Sequence, residues 1–278
     1  MKVIIDCDPG NGIPGANVDD AVALAFALRH PSFDVRAIWT VFGNTSAAEG
    51  YAAARALLAS LNESVSLRRG TDRPSTGPDP LPGLVDDLIQ AGDQVTLVCL
   101  GPLTNIARIM TEAPEAMAGV GAIHLMGGCL GHGELVDTNF ALDPGAAEIV
   151  LASEVPLTIT PLDVTRTTEL SRADWQAVRH RAGVRVDLDA IGGWLEPWLE
   201  HSARTRPVNG MWLHDLVVLA QLAEPTLATT ERVRVTVAAQ PRGKLVRDPD
   251  GTLVHMVTGI DNSQLIALWA DTLGEDPR

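Results

Sequence analysis

Residues 3–28 read VIIDCDPGNGIPGANVDDAVALAFAL, and this stretch decides the fold. Val3-Ile4-Ile5 is an apolar run of the length of one buried strand. Val18, Ala21, Val22, Ala25 and Leu28 repeat with the spacing of one buried helix face. Asp6 and Asp8 stand at the end of the strand, and Asp19 and Asp20 at the start of the helix. In an open α/β sheet, ligands bind in the crevice outside the carboxyl ends of the strands. Strand and helix therefore bring four acids towards one mouth.

Acids held that close repel one another. A helix N-terminus offsets on the order of 0.3–1 kcal/mol per favourably placed charge, and a bound cation far more. Carboxylates and carbonyls are the donors that hard divalent ions such as Ca²⁺ take. Capping a helix and starting a turn is the plainer use of these residues, but a cap needs only one acid. Gly10-Asn11-Gly12-Ile13-Pro14-Gly15 also spells G-x-G-x-x-G, with Asp34 at about the distance of a ribose-binding acid. Charge decides against a dinucleotide. A pyrophosphate there faces Asp8, Asp19 and Asp20 with no Lys or Arg nearby, and each such pair at ~4 Å costs about 4 kcal/mol at an effective dielectric of ~20.

The remaining composition narrows the class. The chain has 278 residues, 46% apolar and 20% charged, in keeping with a globular protein. A net charge of −14 and only two lysines, Lys2 and Lys244, argue against nucleic-acid and anionic-membrane partners. No apolar run reaches a membrane span, and the N-terminus enters a strand without a signal peptide. Cys7, Cys99 and Cys129 form no C-x-x-C pair, which points to buried thiols in a reduced, cytoplasmic protein.

Further along, strands are expected at Val35–Phe42, near Val65–Leu67, at Val95–Leu100, Ala122–Met126 and Leu157–Pro161. Helices are expected from about Ser46 to Leu61, after the Gly101-Pro102 turn with Pro near its first turn, and from Asp143-Pro144. Gly70 to Gly83 and the segment from Gly127-Gly128 to Asn139 read as loops. Leu157–Pro161 closes the parallel series in this reading. Ser171 to about Glu224 is mainly helical, Val233–Ala239 and Leu253–Val257 are β-rich, and Ser263 to Leu273 is a final helix. The alternation gives an α/β fold with an open, mostly parallel sheet flanked by helices, residues 1–278 forming one domain.

The assembled motifs resemble the inosine–uridine-preferring nucleoside hydrolase family. Its D-x-D-P-G-x-D-D-A pattern stands here as Asp6-Cys7-Asp8-Pro9-Gly10 and Val18-Asp19-Asp20-Ala21, with Asn11–Asn17 inserted. Val41-Phe42-Gly43-Asn44, Gly101-Pro102-Leu103-Thr104-Asn105, Leu125-Met126-Gly127-Gly128, Asn139-Phe140-Ala141-Leu142-Asp143-Pro144 and His214-Asp215 follow in the family's order.

The resemblance implies a Ca²⁺ held by Asp8, Asp20, Asp215 and the Leu100 carbonyl, with Asp6 supporting its surroundings. It implies that Asp19, Asn44, Asp137 and Asn139 hold the ribose, Asp137 standing where the family usually has Glu. Asp8 is then the base that activates water at the ion, and His214 the acid for the departing base, a task suited to a near-neutral pKa. The implied reaction is hydrolysis of a ribonucleoside to free base and ribose through an oxocarbenium-like sugar. The implied assembly is a homodimer or homotetramer.

Three features depart from the pattern. They are the insert itself, the lack of a counterpart for an additional ribose-binding Asn between Gly128 and Asn139, and the lack of a His around Thr76-Gly77. Trp194, Trp198 and Trp212 are candidates to stack on the base, although tryptophans at helical spacing usually serve a core. Two other classes remain open: a non-catalytic Ca²⁺-dependent nucleoside or sugar binder on this fold, and a phosphatase of the haloacid-dehalogenase type. The latter rests on Asp6-Cys7-Asp8 and lacks a suitable lysine.

Overall fold

The computed structural model describes residues 1–73, 79–131, 133, 135–183, 186–241 and 243–274. Strand β1 (Lys2–Cys7) carries Val3, Ile4 and Ile5 completely buried. Val3, Ile5 and Cys7 face one core and Ile4 the other, so both faces of the sheet are covered. That is why the run is continuously apolar and does not alternate. Helix α1 (Asp19–Arg29) follows, buried from Asp19 through Ala27.

The chain then runs through β2 (Asp34–Thr40), α2 (Ala47–Ser60), β3 (Ser66–Arg69), α3 (Leu81–Ala91), β4 (Val95–Cys99), α4 (Thr104–Glu112) and β5 (Val120–Met126). Short α5 (Thr138–Leu142), α6 (Pro144–Leu151), β6 (Leu157–Thr160) and α7 (Leu162–Thr165) come next. The last third holds β7 (Glu169–Leu170), α8 (Arg172–Ala182), α9 (Val186–Thr205), β8 (Met211–Trp212) and α10 (His214–Ala223). Strands β9 (Ala228–Val237), β10 (Leu245–Arg247) and β11 (Thr252–Ile260) and helix α11 (Asn262–Gly274) complete it. Helix starts follow local chemistry: Ser46 and Glu49 form a capping box at α2, and Asp143 accepts from Ala146 N at α6.

Nine strands form one sheet in the order β10-β9-β11-β6-β5-β4-β1-β2-β3. From β3 to β6 all neighbours are parallel, with Ile5 beside both Ile38 and Val98. The chain leaves β1 towards β2 and β3, then returns to its other side with β4. The crevice between β1 and β4 is thus a topological switch point. One face packs on α1, α2 and α8 to α11, and the other on α3, α4 and α6.

The structure departs from the sequence expectations in several places. Helix α3 begins inside the stretch read as a loop. Its face Leu81, Leu84, Val85 and Leu88 has helical spacing, and Pro82 fits the first turn, but the Gly- and Pro-rich residues before it obscured the signal. The parallel series does not close at β6, because His255 and Met256 of β11 pair parallel to Thr158 and Ile159. Val41 and Phe42 lie beyond β2, and Pro102 precedes α4 without joining its first turn. Asn139 sits in α5 and not in an irregular loop. The helical segment is broken by β8, which pairs with β7, and β10 had no counterpart in the reading. Thr76-Gly77 lies outside the described residues. Cys7, Cys99 and Cys129 are buried and outside any disulfide. Among the described residues no helix is long and apolar enough to cross a membrane.

Candidate active site

Asp8 lies just beyond β1, where backbone groups fix it. Its Oδ2 accepts from Asn44 N (2.6 Å), and its own N donates to Asp20 Oδ1 (3.0 Å). Asn44 Nδ2 donates both to the Asp8 carbonyl and to Asp20 Oδ2, each at 3.2 Å. Two glycines make room for this carboxylate. A Cβ on Gly43 would stand 2.0 Å from Asp8 Oδ2, and one on Gly101 2.9 Å from Asp8 Oδ1. No larger residue fits at either place without displacing Asp8.

Asp19 and Asp20 occupy the first turn of α1, and no side chain caps that helix. The capping use considered above is therefore not theirs. Asp215, in the first turn of α10, offers an oxygen that lies with oxygens of Asp19 and Asp20 inside a 4.8 Å cluster. All three are buried. The tightest set thus contains Asp19 in place of Asp8, while Asp8 joins it through Asp20. Asp6 is bound on one oxygen by Asn105 Nδ2 (2.7 Å), and its other oxygen is buried without a partner. Asp19 Oδ1 is orphaned in the same way.

Crowding shows in the protonation of these groups. Burial, then the charge of Asp20, pushes Asp8 and Asp19 well above the usual carboxylate range. Burial followed by Asp19 and Asp20 does the same to Asp215. Burial raises Asp20 to about 7 and Asp6 to about 8. Buried all-oxygen donors that repel one another, some of them unpaired, are the chemistry that suits a hard divalent cation. The residues present fit such an ion.

A polar pocket of about 130 Å³ opens over this cluster, lined among others by Asp8, Asp19, Asn44, Asp137, Asn139 and His214. Leu100 and Asp215 line it as well. Its contents span both ends of the chain because the C-terminal ends of β1 and β4 meet the N-termini of α1 and α10 there. Asn139 Nδ2 donates to the Leu100 carbonyl (2.7 Å) and to the Met126 carbonyl (3.2 Å), which leaves its Oδ1 for other contacts. Asp137 caps α5 through Phe140 N, and burial raises its carboxyl to about 6.

His214 Nδ1 is 2.7 Å from Thr165 Oγ1. Its pKa is not near neutral: burial, then Arg206 and Arg166, lowers it to about 3. The ring is neutral at pH 7. Of the tryptophans, Trp212 stands 5.7 Å from the His214 ring, whereas Trp194 and Trp198 line a neighbouring apolar cavity. Every metal, sugar and catalytic residue expected from the sequence except Asp20 and Asp6 lines the pocket; Asp20 accepts from Asp8 N, and Asp6 from Asn105 Nδ2.

A model of the family described as inosine-uridine preferring nucleoside hydrolase matches residues 3–267. The chain belongs to that family. Among its nucleoside hydrolase relatives, the non-specific ribonucleoside hydrolase RihC of Klebsiella pneumoniae subsp. pneumoniae is 31% identical, covering 91% of this chain and 90% of the relative. The RihC of Escherichia fergusonii is 30% identical over the same shares of each chain. The fold is also that of the purine-preferring ribonucleoside hydrolase from Gardnerella vaginalis, with a TM-score of 0.83 at 24% identity, covering 99% of this chain and 98% of that one. As a member of the family, the chain is a hydrolase of N-glycosyl bonds.

Sequence reasoning missed three polar contributors to this nucleoside hydrolase site. Asn17 comes from the insert, Thr165 orients His214, and Arg206 lines the pocket while acting on both Asp19 and His214. None belongs to a motif quoted above. Nothing in the sequence marks Arg206, because only the fold brings it to these groups.

Proposed function

We propose that the protein hydrolyses ribonucleosides to free base and ribose in a Ca²⁺-dependent reaction centred on Asp8. The observation that carries this reading is the buried Asp8, Asp19, Asp20 and Asp215 cluster beneath a pocket that also presents Asn44, Asn139 and His214. Asp8, Asp20, Asp215 and the Leu100 carbonyl would hold the cation, with Asp6 keeping the arrangement from behind. When bound, the ion supplies charge compensation and Lewis acidity towards a water nucleophile.

Asp19, Asn44, Asp137 and Asn139 hold the sugar by its hydroxyls. Their fixed hydrogen bonds to the backbone aim them before substrate enters, which lowers the cost of reaching the reactive geometry. Asp8 takes the proton of the attacking water as the C–O bond forms at C1′. The C1′–N bond breaks, and its electron pair leaves with the base. With Thr165 donating to Nδ1, the His214 ring carries its proton on Nε2 and presents it to that base. Because the ring is neutral, it acts as an N–H hydrogen-bond donor to the departing base, whose own proton affinity rises as it takes up the electron pair of the broken bond. Arg206 and Arg166 add positive charge on the same side.

We further infer that residues 1–278 act as one catalytic unit, that it works in the cytoplasm, and that it assembles as a homodimer or homotetramer. Ribose release from a panel of purine and pyrimidine nucleosides, with added Ca²⁺ and after exhaustive chelation, tests the reaction. Ca²⁺-dependent release is expected. Tight nucleoside binding without any release would favour the non-catalytic binder.

A further inference from the structure

The inserted residues 11–17 form an ordered turn and not a loose excursion. Ile13 N donates to the Gly10 carbonyl (3.0 Å), Ala16 N to the Ile13 carbonyl (3.2 Å), and Asn11 Nδ2 reaches Ala53 O of α2 (3.1 Å). Gly12, at φ +83°, lies against Trp194 of α9, where a Cβ would meet the indole Nε1 at 3.6 Å. Between this turn and α9 lies a cavity of about 390 Å³. Ile13, Ala16 and Val18 form one wall, and Trp194, Pro197 and Trp198 the other. No carboxylate, lysine or arginine lines it, and its one titratable side chain, His201, stacks on Trp198 with ring centroids 5.3 Å apart.

The cavity adjoins the polar pocket along two seams. Asn17 lines the polar pocket, while its neighbours Ala16 and Val18 line the cavity. Arg206 lines the polar pocket, and its guanidinium sits 4.9 Å over the ring of Trp198. Trp198 is 5% exposed, and its Nε1 is buried without a hydrogen-bond partner, as is Ser202 Oγ one turn further along α9. Neither atom is open to the cavity, so neither offers an occupant a hydrogen bond.

Size and chemistry then indicate the occupant. A ribosyl group and a purine ring are of similar bulk. A 130 Å³ pocket suits the sugar, and the cavity beside it is about three times larger, more than an unsubstituted base fills. The ring edges of an unmodified base carry several donors and acceptors that need partners, and this lining offers few. An apolar group attached to the base needs none.

We propose that the cavity is a subsite for an apolar alkyl or aryl substituent on the nucleobase, so that the insert selects ribonucleosides with enlarged bases. This rests on reading the polar pocket as the sugar site. A substituent on the exocyclic nitrogen of a 6-aminopurine points away from the ribose, the direction this arrangement requires.

The test compares kcat/KM for adenosine and N6-benzyladenosine by ribose release from the Ca²⁺-loaded protein. Burying the benzyl group is expected to favour N6-benzyladenosine by at least about tenfold. Gly193 lies on the cavity rim in α9, where an added Cβ meets nothing within 4 Å. Gly193→Phe therefore adds a bulky apolar side chain at this rim, with room for its Cβ. It is expected to cut kcat/KM for N6-benzyladenosine at least about fivefold more than for adenosine. Ile13→Trp, filling from the opposite wall, repeats the test if that variant does not fold. Wild-type protein that turns over adenosine as well as N6-benzyladenosine overturns the subsite, as do equal losses for both substrates in the variants. If no nucleoside releases ribose, calorimetric titration with the same two compounds decides. Tighter binding of N6-benzyladenosine upholds the subsite while the hydrolytic reading falls, and equal binding or none overturns both.

Discussion

Two cavities lie side by side in this protein and are built on opposite principles. The polar pocket gathers acids and amides from the ends of β1 and β4 and the starts of α1 and α10, with Asp8, Asp20, Asn44 and Asn139 tied to the backbone by hydrogen bonds. The apolar cavity has walls of one inserted turn and one helix, and its lining side chains meet an occupant chiefly through apolar surface. The first depends on charge, which is costly to bury and permits few substitutions. The second depends on shape, which many apolar residues satisfy. Reaction chemistry should therefore be intolerant of change in the first region, and preference for the base should be adjustable in the second.

The largest expected effect is at Asp8. Asp8→Ala should lower kcat by at least about 10³-fold with the circular dichroism spectrum unchanged, since under the proposed function it removes the base and part of the cation site. Retained turnover would mean that the polar pocket is not the reactive one. Removal of divalent ions comes next. Chelation should reduce ribose release to about 1% or less and lower the melting temperature, with Ca²⁺ restoring both. An ion at a hundred times its Kd stabilises by about 2.7 kcal/mol. Full activity after chelation would separate catalysis from the acid cluster.

His214→Ala sharpens the contrast within the pocket itself. Nucleosides with poor leaving groups should lose about 10²-fold in kcat, while p-nitrophenyl riboside, whose leaving group needs little help, should change by less than about threefold. Equal losses on both substrates would assign His214 to the sugar and not to the base.

The smallest effect lies outside both cavities. His124 on β5 is pushed down to about 4 by burial and by His255, which lies beyond Thr158 in the neighbouring strands. Unfolded, it titrates near 6.5, so between pH 6.5 and 4 the unfolded chain binds the extra proton. Stability from the neutral ring is full above pH 6.5 and is lost as pH falls towards 4, by roughly 3 kcal/mol. Denaturant titrations across this range should show a shallower slope for His124→Gln than for wild type. Parallel slopes would mean that the folded protein accepts the proton without cost.

How much of this was legible in the sequence follows the same division. Asp6, Asp8, Asp19 and Asp20 were conspicuous because four acids around one turn have few structural uses. Asp137, Asn139, His214 and Asp215 were found by motif order, since no local pattern draws them together across the chain. Trp194 and Trp198 were ambiguous. Their spacing suits a core helix, and only the fold shows that the insert stands off from them and leaves a cavity. Arg206 carried no signal because its importance comes from facing charges distant in sequence. Helix α3 was hidden by the Gly and Pro residues before it, and the parallel pairing of β11 with β6 spans too few residues to leave a pattern. The near-neutral His214 was a chemical expectation that its buried surroundings and two arginines do not bear out.

The two outermost strands have a consequence for how copies of this chain can meet. Strand β3 has four residues and ends in Arg68 and Arg69, which pair with Asp87 and Asp72. Strand β10 has three and ends in Arg247, paired with Glu231. Both are short and carry fixed charge, so neither offers a long flat ladder of unpaired amides and carbonyls. Growth of the sheet from one molecule into the next is disfavoured at both margins. A dimer or tetramer of this protein would have to form through its helices and loops, leaving the nine-stranded sheet closed to its neighbours.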